Sequence, residues 1–356
     1  MINIGFIGAG GNTKSAHLPK LKEQEGVTLY GVSNRSVESS TKVSKEFNIS
    51  NVYDSWVDLL NDEEVDAVCI GTWPNMHASI TLEALSRGKH VLCEARMAMN
   101  SSEAELMSEA SKSNPDLITQ IVPAPHTLPY DNTIKNWVKN NMGDLILFDV
   151  KATTGEFSNP ERTLHWREDR DISGNNIMHM GIFYEAGMRW LGTASSVYSH
   201  SNIIVRKRIN ESGDFKEVTI PDHLEAIGSM SIGGSYHMTH STVLGAAPKI
   251  DIWIYGTLGT MHIYENSDIN TPQNFNSVKL KIDIKNSNSN NDNWETLTPK
   301  PSDVGGWRVE EEFIEAIKNN EKISHTTFAD GVKYMQFTDA LRLSWESGSR
   351  VQLPFS

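Results

Sequence analysis

The feature that most narrows what this chain can fold into stands at its start. A short apolar run, Ile2–Ile7, ends on Gly8-Ala9-Gly10-Gly11-Asn12-Thr13 and passes straight into a helical pattern, "SAHLPKLKEQ". A strand that breaks on glycines and re-emerges as a helix is the opening unit of a doubly wound parallel sheet. The next hundred residues keep that alternation. "VTLYGVSN" reads as a second strand and "SVESSTKVSKEFN" as a polar helix. "VDAVCIGT" and "KHVLCEA" are unbroken apolar runs, the pattern of parallel strands covered on both faces. Between them "HASITLEALSRG" is helical and closes on Gly88. A Rossmann doubly wound parallel sheet is expected through residue 122, making 1–122 the first domain.

In such a loop Gly8 permits the tight turn and Gly10 lets a pyrophosphate approach backbone N–H groups, with Gly11 and Asn12 completing it. Thr13 holds the third position, where Gly or Ala would pack the helix closest to the strand. The reading is a dinucleotide site; the alternative is a glycine turn with no ligand. A second strand built for NAD ends on an acid that takes hydrogen bonds from the adenosine ribose. Here it ends on Ser33-Asn34-Arg35-Ser36. A guanidinium among small polar groups suits a 2′-phosphate, so Asn34 and Arg35 lean the choice within NAD(P) slightly toward NADP. Arg35 as a solvated loop cation is the alternative.

Beyond residue 122 the pattern changes. "TIKNWVKNNMGDL" reads as a helix with a glycine stop and "ILFDVKATTG" as the first strand of a new sheet. "IIVRKRI", "EAIGSMSIGGSYHMTHSTV", "KIDIWIYGTLGTMHIYE" and "SVKLKIDIK" alternate like strands of an open, mainly antiparallel sheet. "NSNSNNDN" at 286–293 is a polar hairpin tip or insertion, and two amphipathic helices close the chain. The expected fold is therefore α/β, with an α+β second domain over 123–356. A chain of 356 residues suits two domains better than one core. Its formal charge of −13 argues against nucleic acid, which needs a basic face. No apolar run nears the roughly 20 residues of a membrane span. "MINIGFIGAGG" is a strand and turn rather than a signal peptide, so a cytoplasmic location is expected. The two cysteines, Cys69 and Cys93, end apolar runs and read as buried thiols. His237 and His240 cannot share one side of a regular strand, and no metal site is expected.

The run "DAVCIGTWPNMHASITLEALSRGKHVLCEARMAMN", the loop "GFIGAGGNTKSAHLPKL" and the tail "EEFIEAIKNN…FADGVKYMQFTDALRLSWESG" resemble the glucose–fructose oxidoreductase / inositol dehydrogenase / MocA (Gfo/Idh/MocA) family. The resemblance covers nearly the whole chain. It implies a Rossmann domain followed by an α+β domain whose open sheet often forms the oligomer contact, hence a homodimer or homotetramer. It implies an NAD(P)-dependent oxidoreductase moving hydride between the cofactor and a sugar, polyol or related hydroxy compound held between the domains. By the same match, the "TWPNMH" loop (Thr72, Trp73, Asn75 and His77) and Glu94 belong to the nucleotide site. Trp73 merely packing that loop is the alternative, and His17 reads as structural.

The resemblance breaks at the catalytic positions. Where the family has Glu-Lys-Pro, this chain has Glu94-Ala95-Arg96 and lacks the lysine that hydrogen-bonds the reacting hydroxyl. On the helix "NNIMHMGIFYEAGMRWLG", His179 stands for the family's Asp, Phe183 for its proton-abstracting His, and Ala186 for a further Asp. That marks an atypical subgroup. One helical turn from the vacated histidine position, His179 is the first candidate for a relocated base, an imidazole titrating near neutrality. A helix histidine bonded to backbone is the alternative. His165 in "TLHWREDRD" is the second candidate, and an exposed loop histidine its alternative. The following Trp166-Arg167 matches a Trp-Arg the family often carries, and His126 has less support. Arg167 or Arg96 suits binding an anionic or polyhydroxylated substrate, since arginine stays charged; an ion pair is the alternative. Two other functions stay open: an NAD-dependent glycosidase or lyase that oxidises its substrate transiently, and a non-catalytic dinucleotide or sugar sensor.

Overall fold

The computed structural model describes residues 1–177, 179–245, 250–265, 280–287 and 293–355. The polar stretch at 286–293 lies largely outside them. Two units emerge. The first holds Met1–Pro123, Asp171–Gly174 and Arg308–Met335; the second holds Ala124–Arg170, Asn175–Trp307 and Gln336–Ser356.

In the first unit β1 (Ile2–Ile7), β2 (Val27–Ser33), β3 (Asn51–Val52), β4 (Ala67–Ile70), β5 (His90–Cys93) and β6 (Thr119–Ile121) form one sheet. Between them run α1 (Leu18–Lys22), α2 (Val37–Phe47), α3 (Trp56–Asn61), α4 (Pro74–Ser86) and α5 (Ser101–Ser113). The strand order is β3-β2-β1-β4-β5-β6 and every neighbouring pair is parallel. All of β4 is buried, which is why it reads as an unbroken apolar run. The helices start where small polar side chains can take an orphan N–H: Ser36 from Ser39, Ser55 from Asp58 and Asn100 from Glu103. The first helix differs from expectation. Thr13–His17 make a π-helical turn, and regular helix follows over Leu18–Lys22. Pro19, with no N–H, cannot continue the ladder of the turn before it.

After Pro123 the chain forms α6 (Asp131–Asn141), β7 (Leu145–Thr153), α7 (Arg170–Ser173) and α8 (Met180–Leu191). Then come β8 (Ser196–Asn202), β9 (Lys207–Ile209), β10 (Phe215–Glu217), β11 (His223–Ser229), β12 (Ser235–Ser241), β13 (Ile250–Gly256), β14 (Gly259–Glu265), β15 (Leu280–Asn286) and β16 (Glu295–Thr296). Two more helices, α9 (Val309–Asn319) and α10 (Phe328–Ser347), precede β17 (Val351–Gln352). The large sheet of the second unit runs β16-β15-β14-β13-β7-β12-β11-β8-β17, antiparallel except for the parallel pair β7–β12. Its strands alternate as expected: Ile250, Ile252 and Ile254 on β13 and Met261 and Ile263 on β14 are buried, their neighbours half-buried.

Two strand readings change. "IIVRKRI" does not join the large sheet; its Lys207–Ile209 pairs only with β10, in a separate two-stranded ladder. The central side chain, Arg208, is buried and bonded to Glu168, so the segment is anchored by polar contacts rather than by an apolar face. β8 was not apparent because two of its buried residues are serines. Ser199 gives its hydroxyl to the Leu341 carbonyl at 2.7 Å and its N–H to Ser344 Oγ at 3.0 Å. No helix among the described residues is long and apolar enough to cross a membrane.

Candidate functional site

The strand order reverses between β1 and β4, the place where open α/β sheets receive ligands beyond the strand ends. Gly8 sits there with φ +81°, and a Cβ on it would lie 2.7 Å from the Thr72 backbone N. No other residue fits that approach. A Cβ on Gly11 would meet nothing within 4 Å, so the backbone beyond Gly10 faces open space. Gly71, not remarked in the sequence, explains how Thr13 is tolerated: the threonine side chain packs where a side chain on Gly71 would stand. The Ala9 N–H donates to Asn34 Oδ1 at 2.7 Å, while Asn34 Nδ2 donates to Ser39 Oγ at 3.1 Å. Asn34 thus braces the loop and Ser36 caps α2. Arg35 has its guanidinium carbon 5.9 Å from the Trp73 ring centroid.

The turn after β4 is set by His77, whose Nε2 lies 3.1 Å from the Thr72 carbonyl and Nδ1 3.0 Å from that of Arg96. Two buried atoms in this turn, Thr72 Oγ1 and Asn75 Oδ1, have no hydrogen-bond partner. Buried polar atoms are rarely left so without a ligand or water to meet them. Beneath the loop lies a charged network. Glu94 Oε1 accepts from Asn12 Nδ2 and faces His17 Nε2 at 2.9 Å; His17 Nδ1 lies 2.6 Å from Glu310 Oε1. Burial pulls the His17 pKa down, but the bonds to Glu310 and Glu94 outweigh it and raise it to about 9. The imidazolium in turn holds Glu94 below the usual carboxylate range against the effect of its burial. Ala95 offers its N–H to Glu94 Oε2 at 3.2 Å, and Arg96 stacks 5.0 Å over Tyr334. Cys69 and Cys93 are free and buried.

In the second unit His179 does not lie within the helix. α8 begins at Met180, and His179 is its N-cap with φ +67°, a conformation no sequence signal announces for histidine. It is buried, and burial, followed by the charges of His240, His126 and Arg167, lowers its pKa to about 3. An imidazole titrating near neutrality is thus replaced by one that stays neutral. His165 caps the turn Trp166–Glu168: its Nδ1 accepts from Arg167 N at 3.3 Å, and its N–H donates to Glu168 Oε2 at 2.9 Å. Burial and the charges of Arg167 and Arg162 hold it at about 4. The Arg167 guanidinium lies 4.1 Å over Trp166. Sequence reasoning missed Arg208, which ties the segment before this turn by donating to the Phe157 and Asn159 carbonyls as well as to Glu168. It also passed over Arg189, which clasps Asp131, Glu185, Thr127 and the Ala124 carbonyl. That clasp fixes the segment carrying His126. Among the described residues no group of three or more His, Cys, Asp or Glu is placed to hold a metal ion.

Comparison with known proteins places these features. Residues 2–120 match the profile of an oxidoreductase family with an NAD-binding Rossmann fold, and residues 135–353 match the profile of that family's C-terminal alpha/beta domain. The chain belongs to the Gfo/Idh/MocA oxidoreductase family. The glycine loop, the Thr72–His77 turn and Glu94 fall in the first Gfo/Idh/MocA match, and His165, Arg167 and His179 in the second. An uncharacterized oxidoreductase of Synechocystis is 25% identical over 229 residues, 62% of this chain and 60% of that one, so the match spans about three fifths of that relative. A trans-1,2-dihydrobenzene-1,2-diol dehydrogenase of Xenopus laevis is 24% identical over 257 residues, 72% of this chain and 73% of that one. In fold the chain resembles a levoglucosan dehydrogenase solved with NADH and L-sorbose. The TM-score is 0.83 at 19% identity, over 100% of this chain and 99% of that one.

Proposed function

We propose that the protein is an NAD(P)-dependent oxidoreductase that moves hydride between the nicotinamide and a hydroxyl-bearing carbon of a sugar, polyol or related compound. The observation that carries the reading is the cradle at the end of β1. Gly8 makes the turn, the backbone past Gly10 faces open space, and Thr72 Oγ1 and Asn75 Oδ1 lie buried without partners in the adjoining turn. Those features fit a dinucleotide. The glycine loop would receive the pyrophosphate, Thr72 and Asn75 the nicotinamide ribose end, and Trp73 would cover it. Arg35 would favour NADP slightly. When bound, the nicotinamide supplies the hydride acceptor or donor. The named activities of a diol dehydrogenase and a levoglucosan dehydrogenase among the similar proteins support a hydroxylated substrate.

On the substrate side, Arg167, seated over Trp166, would orient hydroxyl groups, with His165 fixing the turn that presents it. His179 is unprotonated at neutral pH, the form that can take the hydroxyl proton. Its low basicity makes it a slower base than an imidazole poised near 7. With Ala95 where the family carries lysine, this describes an atypical member, and we propose that it works in the cytoplasm as a homodimer or homotetramer. The weak basicity of His179 also favours one second reading, a non-catalytic dinucleotide or sugar sensor. The test is direct titration with NAD, NADH, NADP and NADPH, followed by absorbance of the reduced cofactor with a panel of sugars and polyols. Binding with turnover is expected. Binding without turnover across the panel would leave the sensor, and no nucleotide binding would overturn the oxidoreductase and the dinucleotide sensor alike, leaving a sugar sensor only if a sugar binds by itself.

A further inference from the structure

Packing does not explain the buried ion cluster of the first unit. His17 is closed to solvent and Glu310 is 1% exposed, yet the imidazole stands between two carboxylates, Glu310 Oε1 at 2.6 Å and Glu94 Oε1 at 2.9 Å. Taking such charges out of water offsets much of their attraction, and apolar side chains of the same volume often stabilise a core as well. Stability is therefore a weak reason for the cluster. Its connections give a stronger one. Glu94 Oε1 also accepts from Asn12 Nδ2, and Asn12 is an exposed residue of the glycine loop. A line of contacts runs from α9, through His17 and Glu94, to the loop that would receive the pyrophosphate.

The π-helical turn fits this line. In an α-helix, residues five apart point about 140° away from each other. A π turn closes its hydrogen bonds from i to i+5, which brings such residues onto one side. Asn12, the cap of the Thr13–His17 turn, and His17 stand at that spacing, and both reach the same carboxylate oxygen. We infer that His17 and Glu310 are positioning residues of the nucleotide site: through Glu94 and Asn12 they hold the glycine loop in the shape that receives a dinucleotide, both too deeply buried to touch it. That the ligand of the loop is a dinucleotide rests on the function proposed above.

The proton on His17 makes the line continuous. An imidazolium donates to both carboxylates at once, whereas a neutral ring donates to one and turns a lone pair on the other. The remaining N–H belongs on Nδ1, because Glu310 is nearer and deeper than Glu94. Glu94 then meets a lone pair, and its bond to Asn12 loosens with it. The two carboxylates raise His17 to about 9 against its burial, so the loop is held below that pH and released above it. The other titratable groups around the cluster do not compete there. Cys69 on β4 and Cys93 on β5 are pushed further above their ordinary range, by burial first and then by Glu94. Burial lowers His77, which faces the charge of Glu94. Lys14, on the same turn as His17, is paired with Glu46 at 2.8 Å.

Two measurements on the full chain test this. Carbon resonances of the Asn12 carboxamide and the His17 ring, followed from about pH 7 to 10 without nucleotide, should titrate together with a midpoint of about 9. Affinity for NADH and NADPH should hold to about pH 8 and fall about tenfold by about pH 10, the scale of one hydrogen bond. Asn12→Ala should already bind more weakly at neutral pH and lose the further fall, while its melting temperature keeps the alkaline decline of the wild type. A cluster that only supports the fold would move the melting temperature and leave the affinity flat. Glu310→Gln should lower the His17 midpoint and carry the affinity midpoint down with it. Asn12 signals that ignore the His17 titration would overturn the inference, as would a flat wild-type affinity or an equal fall in Asn12→Ala. Should neither nucleotide bind at neutral pH, the dinucleotide reading fails by itself, and the Asn12 signals still decide whether His17 holds the loop.

Discussion

Arg35 is the residue proposed to read the ribose end, since its neighbours have other partners: Asn34 braces the glycine loop through Ala9, and Ser36 caps α2. A single exposed guanidinium acting on a 2′-phosphate makes a narrow prediction. Arg35→Ala should weaken NADP by about 1–3 kcal/mol, the scale of a charge-assisted hydrogen bond, and leave NAD nearly unchanged. Calorimetric titration of both nucleotides decides it; equal losses would take Arg35 out of that role. His179 is the other residue to which the proposed chemistry assigns a role. His179→Ala should lower kcat by about 10²–10⁴-fold, the usual worth of a general acid–base group, with nucleotide affinity retained. Held at about 3, His179 should give the wild-type rate profile no limb near neutrality. A neutral limb that disappears in His179→Ala would mean that substrate binding has raised its basicity into that range.

The glycine loop shows how an element divides structural from ligand-facing demands. At Gly8 a methyl group would collide with Thr72 at 2.7 Å and the backbone sits at φ +81°, so Gly8→Ala should cost about 1–3 kcal/mol of stability as well as nucleotide binding. At Gly11 the same methyl meets nothing within 4 Å. Gly11→Ala should therefore keep its stability within about 0.5 kcal/mol and lose nucleotide affinity alone. Melting curves and nucleotide titrations of the two variants separate these cases; unchanged affinity in Gly11→Ala would remove the pyrophosphate from that position. The loop, the parallel strands and the alternating strands of the large sheet were legible because each writes its burial into consecutive residues. β8 was not, because serines bonded to Leu341 and Ser344 replace the apolar face. Neither was the start of α8, since a left-handed histidine leaves no local trace. The His17–Glu310 pair spans 293 positions, beyond the reach of any periodicity.

Across the whole molecule the net charge of −13 says little about stability, whereas a few buried imidazoles say a good deal. His17, in the first unit, rises from 6.5 to about 9 on folding, so its contribution is complete below about pH 6.5 and is lost as pH climbs through 9. His179 and His240, in the second unit, fall from 6.5 to about 3. Below about pH 6.5 the unfolded chain takes up protons that these native imidazoles refuse, and stability declines toward pH 3. The expected profile is a dome near pH 6.5 whose alkaline arm arises in the first unit and whose acid arm is shared, since burial also lowers His77 and His90 in the first unit and His165 in the second. Carboxylates join the acid arm only near their ordinary range around pH 4, so the interval above it belongs to histidine. Glu310→Gln removes one of the two carboxylates that hold the His17 proton and should bring the alkaline arm to lower pH. His240→Phe removes a group that resists protonation by more than a unit at pH 5, and should recover about 2 kcal/mol there relative to pH 7. Melting temperatures of the wild type and both variants, scanned from about pH 4 to 10, provide the comparison. An acid arm in His240→Phe as steep as that of the wild type would show that His240 is protonated in the native protein.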